Sequence, residues 1–471
     1  MRRHFVAGAV PLAAALLTGC ASLDGNGGMS AVQEAAKTHL GAIVKVARSD
    51  DDFRRIDQRV AELLSQPLSA DAAVQIALLN NRGLQASFHE LGIAEAETVQ
   101  ASRLPNPGFS IARMKRGDER EIERGLSFDL GHLIALPLNR RVQGHRLAAV
   151  QRSVAMEMLA LAAESRKAFY AAVAAEQTAA YMRDVRTTAD AGAELARRMA
   201  RAGNWTKLQQ AREHGFFSEA VLNLARAEAA RVSTRERLTR LLGLWGTQTG
   251  FSLPERLPDL PRQPQERPDI EQAAMASRLD VQGARQTLEA MASNLGLSRV
   301  TRFINVLELG AMRNSSNEAP RQTGYEISVE IPLFDWGDAR VAKAEAVYMQ
   351  SVQRAAQTAI EARSEVRQAY QGYRAAYDIA RHYRDDIVPT ARRISDENLL
   401  RYNGMFIGVF ELLADARSQI VSVNASIEAL RDFWVAQADL DMAIVGKPSL
   451  SGSGQSAAMA PVAGAAGGPA H

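Results

Sequence analysis

Two periodicities alternate along the chain. The first has period two, the signature of a strand with one apolar face. It predicts strands over 108–114, where Phe109 and Ile111 share a face, and over 125–130, where Leu126, Phe128 and Leu130 do the same and Ser127 and Asp129 point away. It returns over 325–331, where Tyr325, Ile327, Val329 and Ile331 alternate with Glu326, Ser328 and Glu330, with 303–312 as a weaker partner. Charged or polar turns over 115–124 and 313–323 separate the strands of each pair. Alternation of this kind fits the edge of a soluble sheet, and equally a wall with lipid on one side and water on the other. The pairs end alike, in Leu136-Pro137-Leu138 and Ile331-Pro332-Leu333. Proline cannot donate to a ladder, so both sites are expected strand exits.

The second periodicity is helical. The stretch 139–201 holds no proline, and a continuous helix of that length spans on the order of 90 Å. A return helix is expected over 204–244, and the plan repeats over 338–401 and 405–445, with Pro389 expected to kink or break the outgoing arm. Small and aromatic residues at steps of three and four, such as Val366, Tyr370, Tyr373 and Tyr377, suit close side-by-side packing. The outgoing and returning arms break at Ala202-Gly203-Asn204 and at Tyr402-Asn403-Gly404-Met405. Glycine and asparagine tolerate the left-handed backbone of a helix end, so each break reads as the tip of a helical hairpin.

A shorter helix precedes each strand pair, over about 68–103, with Ser69 and Asp71 as caps, and over about 267–299. The chain is therefore two copies of one unit: helix, strand, strand, long helical hairpin. The expected divisions are 1–19, a signal peptide; 20–67, an anchor and N-terminal helical segment; 68–249, the first repeat; 250–268, a proline-rich linker; 269–446, the second repeat; and 447–471, a Gly/Ala-rich tail expected to be disordered. The fold class is mainly α with a small β part.

Arg2 and Arg3 precede a short apolar run that ends in Leu17-Thr18-Gly19-Cys20. Small residues before the single cysteine resemble a bacterial lipobox, which implies cleavage before Cys20 and its acylation. Ala21 after it implies the outer membrane. No stretch reaches the roughly 20 apolar residues of a membrane helix, so any crossing must use strands. The 56 Lys+Arg and 53 Asp+Glu form no basic stripe, and nucleic acid is not an expected partner. The eight histidines show no ligand spacing, and no nucleotide loop or nucleophile elbow is present, so neither a metal nor another cofactor nor an enzyme activity is expected.

The lipobox, the repeated plan and the tip sequences together resemble the TolC-like outer-membrane efflux family, in its lipoprotein subgroup similar to OprM and CusC. The most specific stretches run from Ala202-Gly203-Asn204 through Ala211-Arg212-Glu213 to Leu241-Leu242-Gly243-Leu244, and from Tyr402-Asn403-Gly404 through Glu411-Leu412-Leu413-Ala414-Asp415-Ala416-Arg417. The resemblance implies a homotrimer whose strands form a 12-stranded barrel continued by an α-helical periplasmic tunnel. Its implied partners are a periplasmic adaptor, an inner-membrane pump of the RND or ABC type, and outer-membrane lipid. It also implies a gate of carboxylates at the periplasmic end. Glu411 occupies one such place, and Asp415 fills the other if one residue is inserted, with Ala414 there otherwise. Tyr402 matches a gate tyrosine, and Ile407 stands where the family has an arginine. Gly203, Asn204, Asn403 and Gly404 are the implied adaptor contacts. Plain turn chemistry at the tips and a solvated helix face at 411–415 are the simpler readings. The competing whole-protein readings are a lipid-anchored scaffold that does not conduct and a helical lipoprotein enzyme.

Overall fold

The computed structural model describes residues 25–303 and 306–448. Cys20, the signal segment and the tail from residue 449 lie outside the described residues, so the lipid-anchor expectation is carried by sequence alone. Two N-terminal helices, α1 (Ser30–Leu40) and α2 (Asp50–Leu64), replace the single helix expected there. The first repeat follows as α3 (Ala70–Asn80), α4 (Arg82–Ala101), β1 (Gly108–Arg116), β2 (Glu119–Asp129), α5 (Leu130–Arg201) and α6 (Lys207–Leu242). The second is α7 (Ile270–Ser277), α8 (Leu279–Val300), β3 (Leu307–Ser316), β4 (Gln322–Val329), α9 (Asp338–His382), α10 (Val388–Asn403) and α11 (Val409–Val445). The four strands make one antiparallel sheet in the order β1-β2-β3-β4.

The helix before each strand pair is broken where the sequence suggested continuity. Asn81 and Arg278 each adopt extended backbone between two helices. The break serves the end of the return arm. Asn80 donates to the carbonyls of Leu242 and Gly243 at 3.2 and 2.8 Å, and Asn81 donates to Leu241 at 2.9 Å. These satisfy carbonyls that a helix C-terminus leaves open. Gly243 sits at φ +66°, and a Cβ there would lie 2.7 Å from the Asn80 carbonyl oxygen, so only glycine fits. In the second repeat Arg278 does this work. It is fully buried, donates to the Ala443 carbonyl at 3.1 Å, and is neutralised by Asp280 and Glu365 at 2.6 and 2.7 Å.

The strands are longer than apolar alternation indicated. β1 and β2 continue through the charged segment expected to be a turn, and the connection shrinks to Gly117-Asp118, with Gly117 at φ +61°. The alternation there is carried by charge sign instead of by hydrophobicity. Conversely, β3 begins only at Leu307. Pro332 follows the end of β4 as expected, but Pro137 does not mark an exit. It lies inside α5, which starts at Leu130 because the Asp129 carboxylate caps the His132 amide at 2.8 Å. Pro389 falls within the first turn of α10, where its missing N–H costs least. A five-residue π turn, Tyr383–Ile387, absorbs the change of phase before it, so the outgoing arm is continuous.

α5, at 72 residues, is about 108 Å long. It packs against α6 over its tip half and against α4 and α8 over its sheet half, while α9 packs on α8 and α11, and α11 closes onto α5. Where the outgoing and return arms run together, Ala179 and Ala189 on α5 cluster with Ala220 and Ala227 on α6, beside Met182 and Val185. Larger side chains gather nearer the middle, where Phe433 is fully buried among Tyr373, Tyr377 and Trp434. The proline-rich linker is extended, as expected, yet strapped down. Trp434 Nε1 donates to the Pro258 carbonyl at 3.0 Å, Tyr377 Oη to the Arg262 carbonyl at 2.8 Å, and the Gln265 amide to Tyr373 Oη at 2.8 Å.

One carboxylate near this core works against stability. Burial pushes the Asp441 pKa up, opposed by the Gln437 amide that donates to it at 3.1 Å and by Arg166 and Arg267. A raised folded-state pKa means that the folded form holds its proton more tightly. The penalty is therefore absent below the ordinary carboxylate range and grows as pH rises through the raised value. Asp441→Asn is expected to raise the melting temperature at pH 7 and to change it little near pH 3.5. Equal shifts at both pH values would show that the charge is not the cause.

Candidate channel wall and hairpin ends

Directly opposed residues in a ladder share a face, and the register sorts every strand position. On one face lie Leu307 and Val329; then Phe128, Leu309 and Ile327; then Phe109, Leu126, Ala311 and Tyr325. On the other lie Ser127, Gly310 and Glu326; Ser110, Gly125, Met312 and Gly324; and Glu123 and Asn314. Over 124–128 and 309–314 the apolar-face positions are exposed and the polar-face positions half-buried. The polar side is thus the more enclosed one. A soluble sheet would do the reverse and cover its apolar face.

The polar face carries the carboxylates Glu119, Glu121, Glu123, Asp129, Glu308 and Glu326, with Arg116 as its one cation. Just beyond β4, Ile331, Leu333 and the wholly exposed Phe334 add further exposed apolar side chains. Close by, Phe303 and Trp336 meet edge to face with centroids 6.4 Å apart, and Arg302 lies over the Phe303 ring. Exposed aromatics at the border of an apolar band suit a membrane–water boundary. No helix among the described residues is long and apolar enough to cross a membrane. Within one chain β1 and β4 each pair on one side only, so both outer edges of the sheet are open.

At the opposite end of the long helices lie the hairpin tips. The first tip is as expected: Gly203 takes φ +78°, and the Asn204 amide reaches back to the Met199 carbonyl at 2.9 Å. Thr206 and Gln209 then form a capping box that starts α6. The second tip differs. Gly404 is not left-handed (φ −81°), nor does Asn403 carry the turn; Met405 does, at φ +61°. The same backbone closure forms around it, from the Phe406 amide to the Arg401 carbonyl at 2.9 Å. Met405 and Phe406 are 92% and 84% exposed, an apolar pair held out at the end of the molecule.

The sequence-expected gate residues lie just above this tip, and the structure treats them differently. Glu411 is exposed in the first turn of α11. Asp415, one turn on, is half-buried and accepts a hydrogen bond from Asn398 of α10. It borders a groove of about 380 Å³ together with Ile387, Thr390, Ile394, Ser418 and Ser422. Tyr402 is partly exposed at the end of α10 and is not in contact with Glu411 in any described interaction. One buried ion pair in this region was not anticipated. Glu213 of α6 is 1% exposed and pairs with Arg417 of α11 at 2.7 Å, while the Arg417 guanidinium lies 4.4 Å from the centroid of the Phe216 ring. This pair ties the return arm of the first hairpin to that of the second. Both residues lie in the family-like stretches of the sequence, but nothing in either stretch indicates that they meet.

Residues 270–439, almost the whole second repeat, match the family model described as outer membrane efflux protein. The similarity to that family is thus carried by the second repeat. One relative is the cobalt-zinc-cadmium resistance protein CzcC of Cupriavidus metallidurans, 25% identical over 276 residues, which is 57% of this chain. The matched stretch spans 64% of that relative's length. Among solved structures the fold is similar to CusC, with a TM-score of 0.65 and 17% identity over 83% of this chain and 92% of that one. It is equally close to the CmeC outer membrane channel of Campylobacter jejuni, with a TM-score of 0.66 and 15% identity over 85% of this chain and 89% of that one. At these identities the structural likeness establishes the fold alone.

Proposed function

We propose that the chain is the outer-membrane channel of a tripartite efflux system and works as a homotrimer. The observation that carries this reading is the two-faced sheet with two open edges. Unpaired strand edges cannot sit in hydrocarbon, because each free amide and carbonyl there costs several kcal/mol. A second and third copy, each setting its β1 against the β4 of its neighbour, close a barrel of twelve strands with the apolar face in lipid and the acidic face around water. The long helices then continue the tube into the periplasm. Cys20 carries the lipid anchor, and its acyl chains hold the N-terminal segment at the membrane. The hairpin tips, with Gly203, Asn204, Asn403 and Gly404 in the turns and Met405 and Phe406 exposed beside them, meet a periplasmic adaptor. The driving force comes from an inner-membrane pump, and no catalytic step is assigned to this chain.

The acidic inner face and Glu411 favour cationic cargo over anionic cargo. CzcC is named for resistance to cobalt, zinc and cadmium. Among the described residues no cluster of His, Cys, Asp and Glu could hold a metal. The preference is one of electrostatic field, and it extends to organic cations.

The assembly is tested by native mass and single-particle imaging of the full chain in mild detergent. Three chains with a short barrel and a long hollow projection support the reading, whereas a monomer or a solid rod overturns it in favour of a scaffold. The carboxylate end is tested in planar bilayers. Glu411→Ala together with Asp415→Ala is expected to lower the cation-to-anion permeability ratio and to weaken block by multivalent cations. Unchanged selectivity and block would remove these two residues from the conducting path.

A further inference from the structure

The apolar face of the sheet changes character along its length, and the change is all of one sign. The rows nearest the helices are apolar, ending with Phe109, Leu126, Ala311 and Tyr325. The next row toward the turns is Ile111, Arg124, Arg313 and Thr323, followed by Arg113, Ile122 and Ser315, and then by Lys115 and Arg120. That end of the face therefore holds Arg113, Lys115, Arg120, Arg124 and Arg313, with no carboxylate in the strands on this side. All five are exposed, and none forms an ion pair with a described residue. The carboxylates of these same strand segments, Glu119, Glu121 and Glu123, all point to the other face.

Solubility alone does not ask for this arrangement, since mixed charge on both faces would serve it. The register adds a sharper point. Arg124 stands directly opposite Arg313, and Lys115 directly opposite Arg120. Directly opposed side chains on neighbouring strands have Cβ atoms about 5 Å apart, and like charges so placed destabilise the pairing. Two such pairs on one face make sense when an anion lies between or over them. Both sit where the apolar band ends, on the side of the sheet away from the long helices.

We propose that this boundary binds the phosphate groups of a multiply phosphorylated glycolipid in the outer leaflet. Arg124 and Arg313 form the central clamp, with Arg113, Lys115 and Arg120 extending it toward the turns. Acyl chains lie along Phe109, Leu126, Ala311 and Tyr325, and arginine pairs suit phosphate because the planar guanidinium can donate two parallel hydrogen bonds. The inference rests on the channel reading, which places this face in lipid, and goes beyond it by naming a lipid class and its ligands.

The test uses the full chain as purified assemblies in detergent, with diphosphoryl lipid A as the probe and bound lipid counted by native mass spectrometry. Arg124→Gln with Arg313→Gln is expected to weaken binding about 30-fold, and Arg113→Gln alone, at a less crowded position, about 5-fold. Arg116→Gln, which removes one positive charge from the opposite face, should leave binding unchanged. Inorganic pyrophosphate should not displace the lipid at equal concentration, because it lacks acyl chains. Retained affinity in the double and single variants, or equal competition by pyrophosphate, overturns the inference. Bilayer conductance of the same preparations separates the two readings. Wild-type protein that conducts but binds lipid A indifferently to these arginines sinks the lipid site alone. Wild-type protein that neither trimerises nor conducts sinks the channel.

Discussion

Leu309→Arg is expected to abolish accumulation of folded protein in the outer membrane. Leu309 lies in β3, between Phe128 on one neighbouring strand and Ile327 on the other, in the middle of the apolar band. An arginine facing lipid near the bilayer midplane costs about 2–4 kcal/mol per barrel site. In the trimeric barrel proposed above, three copies multiply that to roughly 6–12 kcal/mol, comparable to the whole stability of an ordinary domain. Ser328→Arg is the matched control. Ser328 stands opposite Glu308 on the acidic face, where a cation meets water and a carboxylate, and assembly should survive. The readout is the fraction of protein that keeps its compact, unheated mobility on a denaturing gel of outer-membrane fractions. Equal tolerance of arginine at both positions would mean that the sheet does not face lipid.

The second large effect is expected at Arg417. In Arg417→Ala the Glu213 carboxylate stays buried with its charge unpaired, which costs about 3–5 kcal/mol. The loss should be local. Gly192 of α5 packs against both Glu213 and Leu413, with ideal Cβ distances of 3.9 and 3.8 Å, so α5, α6 and α11 meet at one point near the tips. Hydrogen exchange should accelerate in segments around 190–213 and 411–420 and remain slow around Phe433. If the tips close the tube, loosening this tie should also raise resting conductance. Arg417→Met combined with Glu213→Leu removes the buried charges together and should recover the protection. Protection unchanged by Arg417→Ala alone would show that the pair carries no load. The contact is notable because Ile407 stands where the resemblance implied an arginine. An ion contact between hairpins is present here, but on a different pair of helices' residues than the family pattern indicated.

The long hairpins were legible because their signal is long: tens of residues of unbroken helical pattern, punctuated by Gly203 and by Asn403-Gly404. The apolar halves of the strands were legible for the same reason, through Phe109, Ile111 and Tyr325 to Val329. The charged halves were read as turns, since a hydrophobicity pattern has nothing to register when both faces are polar. Pro137 misled because a proline excludes a strand interior more firmly than it excludes the early turns of a helix, and the Asp129 cap lies eight residues ahead of it. The tip at Met405 was assigned to its asparagine and glycine neighbours because propensity ranks residues one at a time. Backbone closure to Arg401 decided which residue took the left-handed position.

By itself, the sequence determined the two-copy plan, the long helical arms and the apolar identity of one sheet face, because each of these is a local periodicity. Only the tertiary structure decided what depends on residues far apart in the chain. Register aligned Arg124 with Arg313 across nearly two hundred residues and so put every strand cation but Arg116 on one face and the carboxylates on the other. Helix packing brought Glu213 to Arg417, and Asn80 and Arg278 to the ends of the return arms. These are pairings of single polar groups, and a polar group gives no indication in sequence of which distant partner will satisfy it.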